Sequence, residues 1–347
     1  MGSLGYRPQL DGIRALAIMP VVGLHAFGWP RNGSLGVDLF FVLSGFLITT
    51  LLLEERVATG TISFLSFYRR RAARLVPGLA VMLFAYAVAT GGAHGWAVLS
   101  GATYSTNIVT VLAGGDAIPW SLAHLWSLAQ EEQFYLVWPV VLVLLARVRS
   151  ALFAWIIVLL TVGVILEKFI LLATGAGETR IYFGPDTHAD PILVGCLAGV
   201  LFVNDRVAVK IRFLGEFGLA AVVACVVLSQ WTPLLTHISP LRTAFALASA
   251  ILIYGVLESG AVTRLLGAAA LVFVGRISYG LYLWHVPVLA ATGAHADGGR
   301  PARAALAVCA TFAVATTSFF LIEQPFRRRW RQRSSVRAVA VVVQPTA

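Results

Sequence analysis

Ten apolar runs, each near the length of a bilayer crossing, divide this 347-residue chain. They fall near 11–29, 36–53, 75–91, 134–146, 152–173, 189–203, 214–231, 241–257, 274–294 and 303–322. An untilted helix needs about 20 residues to cross the hydrocarbon core, so the shorter runs leave their boundaries open. Composition agrees: 59% of residues are hydrophobic and 12% charged, against about 25% charged in a soluble domain. The expected fold is an all-α polytopic membrane bundle of about ten transmembrane helices over residues 1–333. Residues 334–347 are expected to form a disordered cytoplasmic tail.

Charge sets the direction of the spans. With the N-terminus inside and a moderately apolar stretch at 95–113 read as re-entrant or interfacial, four basic clusters face the cytoplasm, as the positive-inside rule asks. They are "RRRAAR" at 69–74, Arg147 with Arg149, "NDRVAVKIR" at 204–212 and "RRRWRQR" at 327–333. Arg31, Arg180, Arg242, Arg300 and Arg303 fall on or near the outer side, so the bias is incomplete. The net charge of +10 therefore reflects membrane topology, and no nucleic-acid partner is expected. The first run outlasts the apolar core of a signal peptide and carries Arg14 and His25, so it is read as a retained span. Cys196, Cys225 and Cys309 lie in apolar stretches without metal-ligand spacing, and no metal is expected.

Ionisable residues inside such runs cost free energy and mark candidate sites. Arg14 and His25 are eleven residues apart, nearly three turns, so they share a helix face roughly 16 Å apart along the axis. The plainer alternatives are a snorkelling arginine and a structural histidine. Asp38, in "GVDLFFVLSGFLI", enters the second span near the depth of His25 and is expected to orient that ring. Its alternative is a helix-entry carboxylate facing water. Ser44 and Gly45 read as close helix packing.

In "FYRRRAARLVP", Arg71 and Arg74 share a face and could clasp one multiply charged anion. They could instead anchor topology and contact anionic membrane lipid. In "HLWSLAQEEQFY", Ser127 and Glu131 lie one turn apart on an expected interfacial helix at the outer side. There Glu131 would position an acceptor hydroxyl or share a proton with His25, or simply cap a Trp/Tyr belt. Ser278, Tyr282 and His285 share a face and read as a structural network, while Glu323 is expected to pair with an arginine. Glu167, Lys168, His188 and Asp190 are polar groups near span ends with no assigned role.

In this order, and along nearly the whole chain, these segments resemble the acyltransferase-3 family of integral membrane O-acyltransferases. The resemblance implies transfer of an acyl group, usually acetyl, from cytoplasmic acyl-CoA to a hydroxyl. Carbohydrate, glycolipid and glycosylated small-molecule acceptors are all open, in a bacterial plasma membrane with both termini cytoplasmic. The family's Arg-x10-His pattern falls on Arg14 and His25, its Arg-x-x-Arg on Arg71 and Arg74, and its Ser-x-x-x-Glu on Ser127 and Glu131. Position 188 departs from it, with His where a number of members have Arg.

The implied mechanism docks the acyl-CoA phosphates on Arg71 and Arg74, with Arg14 nearby. The thioester then reaches His25, oriented by Asp38, as base or acyl carrier, while Glu131 holds the acceptor. Two rivals come from other classes. One is a transporter of an acidic metabolite or acylated sugar. The other is a structural or sensor protein bound to anionic lipid.

Overall fold

The computed structural model describes residues 4–145, 147–204, 213–231, 239, 242–294 and 300–329. The first seven helices are α1 (Pro8–Phe27), α2 (Leu35–Thr59), α3 (Phe64–Ala89), α4 (Gly95–Ala102), α5 (Thr106–Ala113), α6 (Trp120–Ala123) and α7 (Leu125–Leu145). Next come α8 (Ser150–Ala173), α9 (Glu178–Phe183), α10 (Asp190–Val203), α11 (Leu214–Leu228) and α12 (Arg242–Gly255). The last three are α13 (Ala261–Leu266), α14 (Ala269–Thr292) and α15 (Pro301–Ser318), and among the described residues there is no strand. Helices satisfy their own backbone polar groups, which lipid cannot do.

Among the described residues, seven helical segments are long and apolar enough to cross a membrane: α1, α2, α3, α6 with α7, α8, α14, and α15 continued to Arg329. Three shorter apolar helices, α10, α11 and α12, complete a set of ten that follows the ten apolar runs. The chain is a polytopic helical membrane protein. Two helices begin well before the runs that announced them: α3 at Phe64 rather than 75, and α7 at Leu125 rather than 134. Their first turns carry charges that are paired inside the bundle, so hydropathy alone starts both helices too late. The "NDRVAVKIR" cluster beyond Asn204, the end of "RRRWRQR" and the expected tail lie outside the described residues.

Contacts fix the direction of each helix. Gly275 of α14 lies on the Asp11 backbone of α1, and His285 meets His25, so these two helices run parallel. Tyr279 donates to Leu75 O at 2.6 Å, and Tyr86 bonds Ser121 at 2.9 Å, so α3 runs the same way and α7 returns. The chain between Tyr86 and Ser121 thus stays at one end. Helices α4 and α5 within it have eight residues each, about 12 Å of length, too short to cross. Leu4 N–H donates to Glu54 at the foot of α2, and Arg327 and Arg328 face Tyr6 and Asp11. Both described ends therefore sit at one end of the bundle, the end that carries Arg14 and Arg276.

Small residues let the helices meet. A Cβ on Gly45 would enter the Ile192 backbone, and one on Gly195 the Val42 backbone, so α2 and α10 touch main chain to main chain. Hydrophobic burial gives little drive between helices in lipid, and such approach lets dispersion hold them. The outer faces stay apolar. Helix α8 buries only Phe153, Ile157, Thr161 and Lys168 along one stripe, leaving Leu159, Leu166 and Phe169 exposed.

Candidate active site

Three adjoining cavities run through the bundle. The basal one, of about 600 Å³, opens among Tyr6, Arg14, Arg74, Arg276, Arg327 and Arg328. A middle cavity of about 250 Å³ shares Arg14 and Arg74 with it and adds Arg71, Ser44, Ser127, Glu131, Tyr135 and Tyr282. Val37 and Tyr282 in turn also line an outer cavity of about 380 Å³, which holds His25, Trp120, His124, Trp126 and Tyr182. Arg14 and His25, on one face of α1, thus stand at its inner and outer parts.

The three arginines at the inner part differ in what they bind. Arg14 pairs with Asp11, one turn earlier on α1. Arg71 pairs with Glu132 at 2.6 Å, and its guanidinium lies 3.4 Å from the centre of the Tyr135 ring. Arg74 forms no ion pair and no hydrogen bond among the described residues. Two adjoining cavities therefore meet at a guanidinium whose five donors are free for an anion. Glu323 is buried near the same end and takes a weak bond from Ser318 at 3.5 Å.

Glu131 is not at the outer surface. Helix α7 starts early, which carries Glu131 down to the middle cavity, where it accepts from Ser44 and from Tyr135. The structure therefore groups it with the arginines and separates it from His25. Ser127 instead meets Tyr282 at 2.6 Å. The Tyr282 hydroxyl gives its one proton to His124 O, so Ser127 is the donor in that pair.

His25 and Asp38 do not pair as expected. Asp38 is fully buried, with one oxygen 2.9 Å from His188 Nε2 and the other 2.8 Å from Arg242 Nε. The cause is topological: α2 turns this carboxylate toward α10 and α12, away from α1. Both ring nitrogens of His188 are engaged, Nε2 with Asp38 and Nδ1 with Tyr182 O at 2.8 Å. A second buried pair, Lys168 with Asp190 at 2.6 Å, lies beside it and takes in Thr243.

His25 binds instead to Val21 O at 2.9 Å and to His285 Nε2 at 3.2 Å, both through Nδ1. A carbonyl oxygen only accepts, so Nδ1 carries the proton and Nε2 keeps a bare lone pair. Trp120 crosses the ring edge-on at 6.4 Å between centres. The outer cavity is walled by the short helix α9, where Arg180 binds Asp186 and Glu167. Burial works to raise the Asp186 carboxyl, but hydrogen bonds from Arg180 and from Thr187 N–H outweigh it and hold the group below its ordinary range.

Sequence reasoning missed five partners: His285 and His124 near His25, His188 and Arg242 on Asp38, and Glu132 on Arg71. The first lies on the face shared by Ser278, Tyr282 and His285, but no local spacing predicts which way a side chain turns.

A family model described as an acyltransferase domain matches residues 7–321. Over 350 residues, 93% of the chain, it is 32% identical to the peptidoglycan O-acetyltransferase OatA of Listeria monocytogenes. It is 33% identical over 358 residues to the putative peptidoglycan O-acetyltransferase YrhL of Bacillus subtilis, again across 93% of the chain. A putative O-acetyltransferase of Staphylococcus aureus strain MSSA476 is 32% identical over 357 residues, 93% of the chain. These alignments cover 56%, 55% and 58% of the three relatives, so the chain spans a little over half their length. No solved structure matches the chain.

Proposed function

The chain belongs to the acyltransferase-3 family of integral membrane O-acyltransferases, and on that premise we propose that it acetylates a carbohydrate hydroxyl from acetyl-CoA. The observation that carries this reading is the row of cavities, which leads from a basic mouth to the bare Nε2 of His25. The basic end faces the cytoplasm of a bacterium, with both termini inside, because arginine-rich ends stay on that side. Acyl-CoA docks its phosphates at the basal cavity, chiefly on Arg74, with Arg14 and Arg71 behind it. Its slender arm enters the middle cavity, where Glu131 accepts from an amide N–H of the arm. The thioester then comes to rest near Tyr282.

The acceptor sugar lies in the outer cavity, where Trp120, Trp126 and Tyr182 offer flat faces to its C–H groups. The three relatives named above support a carbohydrate in that role through the two called peptidoglycan O-acetyltransferases. His25 lines this outer cavity and not the other two, which supports a position on the hydroxyl's side of the reaction and the role of base. Its Nε2 takes the hydroxyl proton as the new C–O bond forms. The tetrahedral centre collapses, the C–S bond breaks, and the thiolate takes that proton to leave as free CoA.

Purified protein in liposomes, given labelled acetyl-CoA and envelope glycans, tests this reading. His25→Ala should abolish transfer and retain CoA binding; unchanged transfer would remove His25 from the chemistry. Label exchange between acetyl-CoA and free CoA without acceptor would make His25 an acyl carrier instead. The row of cavities would also serve a transporter, and solute flux without acyl chemistry would establish that second reading.

A further inference from the structure

We propose that His285 is the positioning residue for His25, its Nε2 sharing the single Nδ1 proton with Val21 O so that His25 Nε2 faces the acceptor. The proposal rests on the reading of His25 as the base. His285 is fully buried on α14, and Gly275 against Asp11 fixes the register of that helix on α1. Its own Nδ1 faces Tyr282 O at 2.7 Å and Leu281 O at 3.2 Å. Carbonyls only accept, so the His285 proton sits on Nδ1 and Nε2 is left with a lone pair. That lone pair lies 3.2 Å from His25 Nδ1, which carries a proton. The two tautomers, deduced independently, complement each other.

A base of this kind usually leans on a carboxylate. Here the candidate carboxylate, Asp38, has both oxygens taken by His188 and Arg242. The groups around the dyad are His124, whose ring centre is 5.2 Å from that of His285, and Tyr282 at 5.6 Å. A neutral acceptor orients His25 without bringing a charge beside the fully buried His285, where an isolated charge is costly. The dyad stays uncharged until the acceptor hydroxyl gives up its proton. The positive charge then spreads over both imidazoles, and it leaves again when His25 Nε2 protonates the departing thiolate.

The full chain in detergent supports the test. His285→Leu should lower kcat about 10- to 100-fold, the worth of a hydrogen bond to a developing charge, with the KM for acetyl-CoA unchanged. His285→Gln, whose amide oxygen can accept the same N–H, should recover most of the loss. Histidine-selective ¹⁵N NMR of the unsubstituted protein, assigned with His25→Ala, should show His25 protonated at Nδ1 and bare at Nε2. An unaltered kcat in His285→Leu, a Gln variant no better than the Leu one, or a His25 protonated at Nε2 would each overturn the proposal. Should the NMR result hold while His25→Ala still transfers acetyl, the base reading falls and the paired tautomers stand.

Discussion

Replacing Arg74 with alanine removes the guanidinium that stands between the basal and middle cavities without a carboxylate partner. A bidentate, charge-assisted contact to phosphate contributes roughly 1.5–3 kcal/mol. The Kd for CoA should therefore rise about 10- to 150-fold. Stability should move the other way or not at all. Arg74 shares one cavity with Arg14 and Arg71 and the other with Arg14, Arg276, Arg327 and Arg328, so its loss relieves repulsion in the ligand-free protein.

Arg71→Ala should differ by also lowering stability. It breaks the 2.6 Å pair with Glu132, whose members are only 16% and 17% exposed, and uncovers the Tyr135 ring. The cost is about 3 kcal/mol, the low end for a half-buried pair robbed of one partner. Calorimetric titration with CoA and tryptophan-monitored thermal unfolding in detergent read the two quantities separately. An Arg74→Ala protein with a lowered Tm and unchanged CoA affinity would refute the argument and make Arg74 a structural anchor.

Two further substitutions probe the frame that holds the site. Asp190→Asn leaves Lys168 buried without its counter-charge and should cost about 3–5 kcal/mol, read as a lower Tm. Lys168→Met with Asp190→Leu should restore most of it. Gly275→Leu would drive a side chain into the Asp11 backbone, parting α1 from α14. Folded yield should drop, and any folded fraction should lose transfer with its His25–His285 contact.

Much of the fold is legible in the sequence because lipid imposes a simple rule: ten apolar runs give ten apolar helices. The basic clusters also fix the relation of 95–113 to the rest, and that stretch folds as two short helices at one end. Arg71 and Arg74 meet at one cavity as their spacing suggests, since side chains on one helix face stay together, and Arg14 joins them from α1.

What escapes is what depends on partners far along the chain. Asp38 finds His188 and Arg242, 150 and 204 residues away, and no local pattern encodes that choice. Glu131 escapes for a different reason. Its helix begins where charges interrupt the apolar run, so hydropathy places Glu131 at the surface while the paired charges let it sink.

A row of three cavities through a membrane protein is also most of a channel, and a leak of ions there would drain the cell's gradients. Moving one charge across 100 mV releases about 2.3 kcal/mol, so the drive to leak is constant. The guanidinium groups of Arg14 and Arg74 stand at the inner neck, and fixed positive charge in a narrow passage repels protons and metal cations. The same residues that draw in an anionic donor would thus keep the passage electrically shut. Substituting them can harm a cell through conductance even where acetyl transfer survives.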